Sequence, residues 1–480
     1  MQHRYRVFFV CTAGIFTTVF DTSSSIVALP TIALQFDTDL PTAQWVVIGN
    51  GLTISALLVP MGRLSDLVGR KRIYVVGCVL FAVGALLASL SGSVYGLIGS
   101  RMVVGIGSAM TQGTAMAILV SNFDVTERAR LLGFQLGGVG LGAILGPATG
   151  GLIVGTIGWR MLYAITAVAM LVIGIAAQRV LRPRARRPGT TGPAFDIAGA
   201  VLFSSLLVAG LLTLTLGPRL GWAQPATLSG VALFVALLSA FIVVERRHAA
   251  PMLDFKLFSR GDFALGALGA VVVFMGMSAA RFLAPFFLQG VKGFDPLRVG
   301  LLMMPAAIVT AIGAPLVGRY ADSFGVREFA NAGFFVVILG LTTFAMLEAS
   351  TPTWLVVVGL MVLSFGMAAF SAPNSAAILN SVDTGAHGVA AGFVNLCRNT
   401  GNVIGVAFGT AMVALTMADA GFPPTLDAVD ASLDAAQSQG IQSAFTRGFR
   451  TAAIALMAIA APVLGILILW ASKARRRHKA

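Results

Sequence analysis

The sequence predicts an all-α polytopic membrane protein with fourteen transmembrane helices, arranged as six, two and six. Three observations predict it. Of the 480 residues, 57% are hydrophobic and only 11% charged, with a mean hydropathy of +0.88. A soluble domain is about 45–50% apolar and about 25% charged. Apolar runs of roughly 20 residues, each long enough to span as a helix, recur from end to end. A polar motif that follows the second run returns after the second run of the last six.

The predicted spans lie near 7–29, 43–62, 73–91, 94–120, 131–156, 160–178, 197–217, 224–244, 263–288, 296–318, 329–348, 353–378, 388–416 and 448–472. The first run is too long for a secretory h-region and lacks an A-x-A-like exit, so it reads as a retained span. An even number of spans puts both termini on one side. Arg4 and Arg6 at one end and Lys473 with Arg475, Arg476 and Arg477 at the other make that side cytoplasmic. The basic, Pro-containing stretch Arg179–Gly192 separates the first six spans from two with few polar features. The domains expected are 1–180, a six-helix bundle; 181–262, a basic linker with two extra helices; and 263–480, a second six-helix bundle. An acidic outside loop is expected near 418–446, with Leu426, Val429 and Leu433 at the spacing of a short surface helix.

The net charge of +14 does not point to nucleic acid, because most Lys and Arg fall in loops on one side, the positive-inside pattern, with some attraction to anionic lipid. Cys11, Cys78 and Cys397 are far apart and apolar in setting, neither a disulfide framework nor a metal site. His3, His248, His387 and His478 read as loop or tail residues, which leaves no histidine for an intramembrane proton relay. No G-x-x-x-x-G-K-[ST], metal-ligand cluster or nucleophile–base set is present, which argues against an ATPase or an enzyme.

Asp21 stands deep in the first span, in Phe20-Asp21-Thr22-Ser23-Ser24-Ser25. A carboxylate there is costly, so its default reading is functional. By helical rise it lies roughly 12 Å from the outer end, and Arg101 on the fourth span roughly 10 Å from the same side. The two therefore match in depth and are candidates for a pair. Either the pair couples protons, or it is a permanent ion pair that fixes helix register.

The repeat is Gly62-Arg63-Leu64-Ser65-Asp66-Leu67-Val68-Gly69-Arg70 and Gly318-Arg319-Tyr320-Ala321-Asp322-Ser323-Phe324-Gly325, both G-R-x-x-D-x-x-G. Two copies at equivalent places indicate a duplicated transporter. The first copy resembles motif A of the major facilitator superfamily. Arg101-Met102-Val103-Val104-Gly105-Ile106-Gly107 resembles motif B, with Val104 in place of the usual Gln. Gly142-Ala143-Ile144-Leu145-Gly146-Pro147-Ala148-Thr149-Gly150-Gly151 resembles motif C of antiporters. Asp21-Thr22 with Ala28-Leu29-Pro30, Gln44-Trp45-Val46-Val47, Trp159-Arg160 and Leu288-Gln289-Gly290 resemble the 14-helix drug:proton antiporter family. The chain departs from that pattern at Asn50, usually Tyr, and at Thr166, usually Asn.

The resemblance implies the major facilitator fold and a proton-coupled exporter of amphipathic small molecules working by alternating access. It implies a bacterial-type inner membrane, no cofactor beyond the proton gradient, and a monomer whose partners are substrate, protons and lipid. An exporter or symporter of an endogenous metabolite, natural product or lipid is the alternative. Asp21 and Arg101 are the proton-coupling candidates. Asn50, Gln112, Met277, Arg281, Phe282, Asn374, Asn395 and Arg398 are the substrate-cavity candidates. If the three arginines face the cavity, an anionic or zwitterionic substrate is favoured. Gly62, Asp66, Gly69, Arg70, Gly142, Gly146, Pro147, Gly150, Gly151, Gly318 and Asp322 are the gating candidates, and a topogenic turn or generic helix packing is their plainer reading.

Overall fold

The computed structural model describes residues 2–122, 125–182, 197–221, 224–247, 260–382, 387–423 and 435–479. Its helices are α1 (Gln2–Gln35), α2 (Leu40–Ala43), α3 (Trp45–Val68), α4 (Arg70–Ser89), α5 (Val94–Asn122), α6 (Val125–Thr156), α7 (Trp159–Val180), α8 (Ile197–Leu220), α9 (Pro225–Arg247), α10 (Gly261–Phe286), α11 (Pro296–Phe324), α12 (Val326–Ala345), α13 (Thr353–Asn380), α14 (His387–Asp419) and α15 (Ala435–Lys479). A π-helical turn, Phe287–Val291, extends α10. Among the described residues thirteen helices are long and apolar enough to cross a membrane, and α6 adds the apolar stretch Gly140–Thr156. With the short α2 set aside, each predicted span has its helix.

Several helices outrun their predicted spans. The outside loop expected near 418–446 is largely helix at its edges, because α14 reaches Asp419 and α15 begins at Ala435. Hydropathy reports the membrane-crossing length, whereas Ala-Ala-Gln extends a helix without being apolar. The surface helix expected around Leu426–Leu433 and most of the Arg179–Gly192 linker lie outside the described residues. His3 lies within α1, His387 opens α14 and His478 lies near the end of α15, so none of these three is a loop residue, and His248 lies outside the described residues.

The chain forms two compact units. The first comprises residues 1–25, 45–146 and 156–254, the second residues 26–44, 147–155 and 255–480. In the first, α4 packs on α5 and α7, α3 on α5 and α8, and α8 on α9. Ser204 on α8 donates its hydroxyl to the Ala56 carbonyl on α3, at 2.8 Å. The core includes Phe8, Cys11, Tyr74, Cys78, Phe81 and Met170. In the second, α12 packs on α13 and α15, and α10 on α13, α14 and α15. Cys397, on α14, is buried like the other two cysteines.

Small residues set how closely these helices cross, since lipid tails offer no hydrophobic drive between helices. A Cβ on Gly77 would fall 2.7 Å from Met110 Cβ, and one on Gly84 2.7 Å from the Val104 nitrogen, so α4 and α5 meet backbone to backbone. In the second unit a Cβ on Gly340 would fall 2.6 Å from Leu363 Cγ, and one on Gly333 2.6 Å from the Ala369 carbonyl carbon, where α12 meets α13. Gly77 and Gly333, Gly84 and Gly340, and Gly69 and Gly325 are each 256 residues apart. The repeat seen in the two polar motifs thus extends to the packing of the helix that follows each. Gly69 and Gly325 join α3 to α4 and α11 to α12 with φ of 111° and 98°, a region that side chains with a Cβ rarely adopt.

Candidate functional site

Asp21 and Arg101 meet inside the first unit. Arg101 Nη2 lies 2.6 Å from Asp21 Oδ2, and each side chain is 1% exposed. Arg101 Nε and Nη1 lack a hydrogen-bond partner. The guanidinium lies over the Tyr163 ring, 5.0 Å from its centre. Thr166, one turn further along α7, donates its hydroxyl to Asp21 Oδ1 at 3.2 Å. The carboxylate is therefore held from two sides, by α5 on one oxygen and α7 on the other.

Local sequence explains the geometry. Thr17, Ser24 and Ser25 bond back to α1 carbonyls, at Ala13, Phe20 and Asp21, so the polar stripe of α1 satisfies itself and leaves Asp21 as its outward-directed charge. Small residues bring the neighbouring helices in. A Cβ on Gly142 would fall 2.9 Å from the Phe16 oxygen, and one on Gly146 2.6 Å from Ser23 Cβ, which sets α6 against α1 on either side of Asp21. Gly105 does the same for α5 on α3, where a Cβ would fall 2.8 Å from the Asn50 oxygen.

The motif-A residues tie helix ends together in the same unit. Arg70 Nε reaches Asp66 Oδ1 at 2.9 Å, and Arg70 Nη1 donates to the Ala117 carbonyl of α5 at 2.7 Å. Lys71 donates to the Gln178 carbonyl of α7 at 2.6 Å. Cations on carbonyls of the last helical turns are favourable placements. Asp66 is exposed, and its partner comes from one turn along. Gly62 approaches the Gly113 oxygen at 3.6 Å from a notional Cβ. Gly318 and Asp322 fall within α11, and their side chains are outside the described set.

The cavity candidates scatter. Asn50 is buried with its Oδ1 unpartnered, and Gln112 is half-buried. In the second unit Arg398 lies over the Phe274 ring, 4.9 Å from its centre. Asn374 donates its amide to the Gly266 carbonyl at 3.0 Å, a tie between α13 and α10. Phe282 is fully buried against Phe286, Met277 is buried, Arg281 is half-buried and Asn395 is exposed. Pro147, Gly150 and Gly151 belong to this unit, and a Cβ on Gly151 would strike the Pro296 oxygen at the start of α11. Gln289, in the π-turn, donates to the Val27 carbonyl at 3.1 Å and accepts from Thr31 at 3.4 Å.

A model of the major facilitator superfamily matches residues 11–406. The chain belongs to the major facilitator superfamily. It is 28% identical to the riboflavin transporter RibZ of Clostridioides difficile strain 630 over 418 residues, covering 87% of this chain and 90% of that one. It is 30% identical to the multidrug resistance protein Stp of Mycobacterium tuberculosis strain CDC 1551, covering 82% and 73%. It is 31% identical to the probable actinorhodin transporter of Streptomyces coelicolor, covering 79% and 67%. The solved structure of a bacterial homologue of the human lysosomal transporter Spinster matches with a TM-score of 0.71 at 17% identity, over 97% of each chain. As a major facilitator, the protein is an integral membrane secondary transporter of small molecules with the major facilitator fold, and not an enzyme.

Two site residues escaped the sequence reading. Thr166 stood out only as a departure from a family pattern, and Tyr163 carried no signal. Both reach Asp21 and Arg101 through the rotation of α7, which an evenly apolar helix does not encode.

Proposed function

We propose that this transporter is a proton-coupled exporter of amphipathic small molecules that works by alternating access. It functions as a monomer in a bacterial-type inner membrane, with both termini cytoplasmic and the proton gradient in place of any cofactor. The observation that carries this reading is the buried Asp21–Arg101 pair with its Thr166 hydrogen bond. Ionised Asp21 holds Arg101 in a dry setting where Coulombic attraction is strong. A proton on Asp21 removes that attraction and frees Arg101 to take other partners. Substrate release is tied to the state in which the proton is bound. The motif-A ties of Arg70 and Lys71 would then be made in one state and broken in the other. Transport of ethidium and of riboflavin into proteoliposomes under an imposed pH gradient tests this, comparing the parent with Asp21→Asn. Proton-driven accumulation should vanish in Asp21→Asn while downhill exchange persists. Accumulation that survives the substitution rules the reading out.

A second reading, export of an anionic or zwitterionic natural product, is favoured by Arg398. It stacks on Phe274 and makes no ion pair among the described residues. The names of the RibZ and actinorhodin relatives fit planar, oxygen-rich cargo. Preference for riboflavin over ethidium in the same vesicles supports it, and the reverse preference removes it.

A further inference from the structure

We propose that Thr166 is a hydroxyl rotor that serves Asp21 in both protonation states, donating to the carboxylate and accepting from the carboxyl. The inference rests on Asp21 being the group that takes up the proton. Thr166 Oγ1 lies 3.2 Å from Asp21 Oδ1 and 3.0 Å from the Tyr163 carbonyl oxygen, and the residue is 1% exposed. A threonine hydroxyl has one hydrogen and two lone pairs, so only one of those two acceptors can receive its hydrogen along a straight line. With Asp21 ionised, the hydrogen points to Oδ1. When a hydronium ion gives its proton to Oδ1 and departs as water, the new O–H donates to Thr166 Oγ1, and the threonine hydrogen turns to the Tyr163 carbonyl. One proton enters, no other bond is made or broken, and Arg101 keeps its charge throughout.

The arrangement removes a penalty that would otherwise fall on each state in turn. A buried acceptor or donor left without a partner costs about 1–3 kcal/mol, and an aliphatic side chain at position 166 would leave Asp21 Oδ1 bare when ionised and the carboxyl hydrogen bare when neutral. Among the described residues, the charged and titratable groups that face Asp21 are Arg101 from α5 and Tyr163 from α7, while α6 meets α1 here through Gly142 and Gly146. Guanidinium only donates and glycine has no side chain to do either, while the Tyr163 hydroxyl, which could do both, makes no hydrogen bond here. Thr166 is thus a positioning residue for the proton site. The family-pattern departure at this position bears on the proton and not on the choice of substrate.

The test is an infrared titration of the purified full-length protein in detergent, following the carboxyl band that Asp21→Asn abolishes. A hydrogen bond to a charged group is about twice as strong as one between neutral groups. Removing the hydroxyl therefore harms the carboxylate more than the carboxyl. Thr166→Val should move the midpoint to higher pH by about half to one unit, and Thr166→Ser should match the parent. Thr166→Ala carries the same comparison if the valine variant does not fold. An Asp21 band with the parent's midpoint in the valine or alanine variant, or a displaced midpoint in Thr166→Ser, overturns the rotor and leaves the proton site standing. A parent band that persists in Asp21→Asn overturns both.

Discussion

The Asp21–Arg101 contact makes a quantitative demand on stability. At 2.6 Å and an effective dielectric of about 20, the attraction of two unit charges is about 6 kcal/mol. Desolvation of both ions offsets much of it, so the pair as a whole is worth far less. Removing one partner is different, because the survivor stays buried without its counter-charge. Asp21→Asn and Arg101→Met should each destabilise the first unit by about 3–5 kcal/mol. The double variant should lose less than the two single losses added together, since no buried charge remains. A coupling of about 2–3 kcal/mol is expected. Reversible unfolding in mixed detergent micelles, followed by tryptophan fluorescence, gives all four corners of the cycle. Trp159 is a local reporter, packed edge to face on Tyr163 at 5.9 Å. Additive single effects, with no coupling within about 0.5 kcal/mol, would refute the claim that the two charges are held against one another.

Other outcomes follow from named contacts. Gly146→Val drives side-chain atoms toward Ser23 Cβ and the Phe20 oxygen, so it should lower the thermal midpoint by the equivalent of about 1–3 kcal/mol and slow transport. Gln289→Leu removes the donor to the Val27 carbonyl, in the turn that leads to Pro30. It should cost about 1 kcal/mol by thermal unfolding, whereas Gln289→Glu, which keeps an acceptor for Thr31 but loses the amide donor, should cost at least as much.

The helices were legible because each is an apolar run of membrane length between charged loops. The pairing of Asp21 with Arg101 was legible too, because depth along a straight helix follows from rise per residue and each is the one charged residue of its predicted span. The contacts of Thr166 and Tyr163 were not. They depend on how α7 is turned about its axis, and Leu, Val, Ala and Ile on all its faces give no dominant side. The extension of α14 and α15 beyond their predicted spans escaped for another reason: Ala and Gln favour a helix without marking it as strongly apolar. The π-turn at Phe287–Val291 leaves no periodic trace, since one widened turn does not disturb a uniformly apolar run. Asn374 looked like a cavity residue by polarity alone, and its amide is spent on the Gly266 carbonyl.

The three buried cysteines have a practical meaning. With Cys11, Cys78 and Cys397 at most 6% exposed, a membrane-impermeant thiol reagent finds little to attack on the parent chain. A new cysteine on the exposed face of Asp66 or beside Gly421 would report its own accessibility against a quiet background. Any change in exposure at those two positions can therefore be followed by labelling without first stripping out the native thiols.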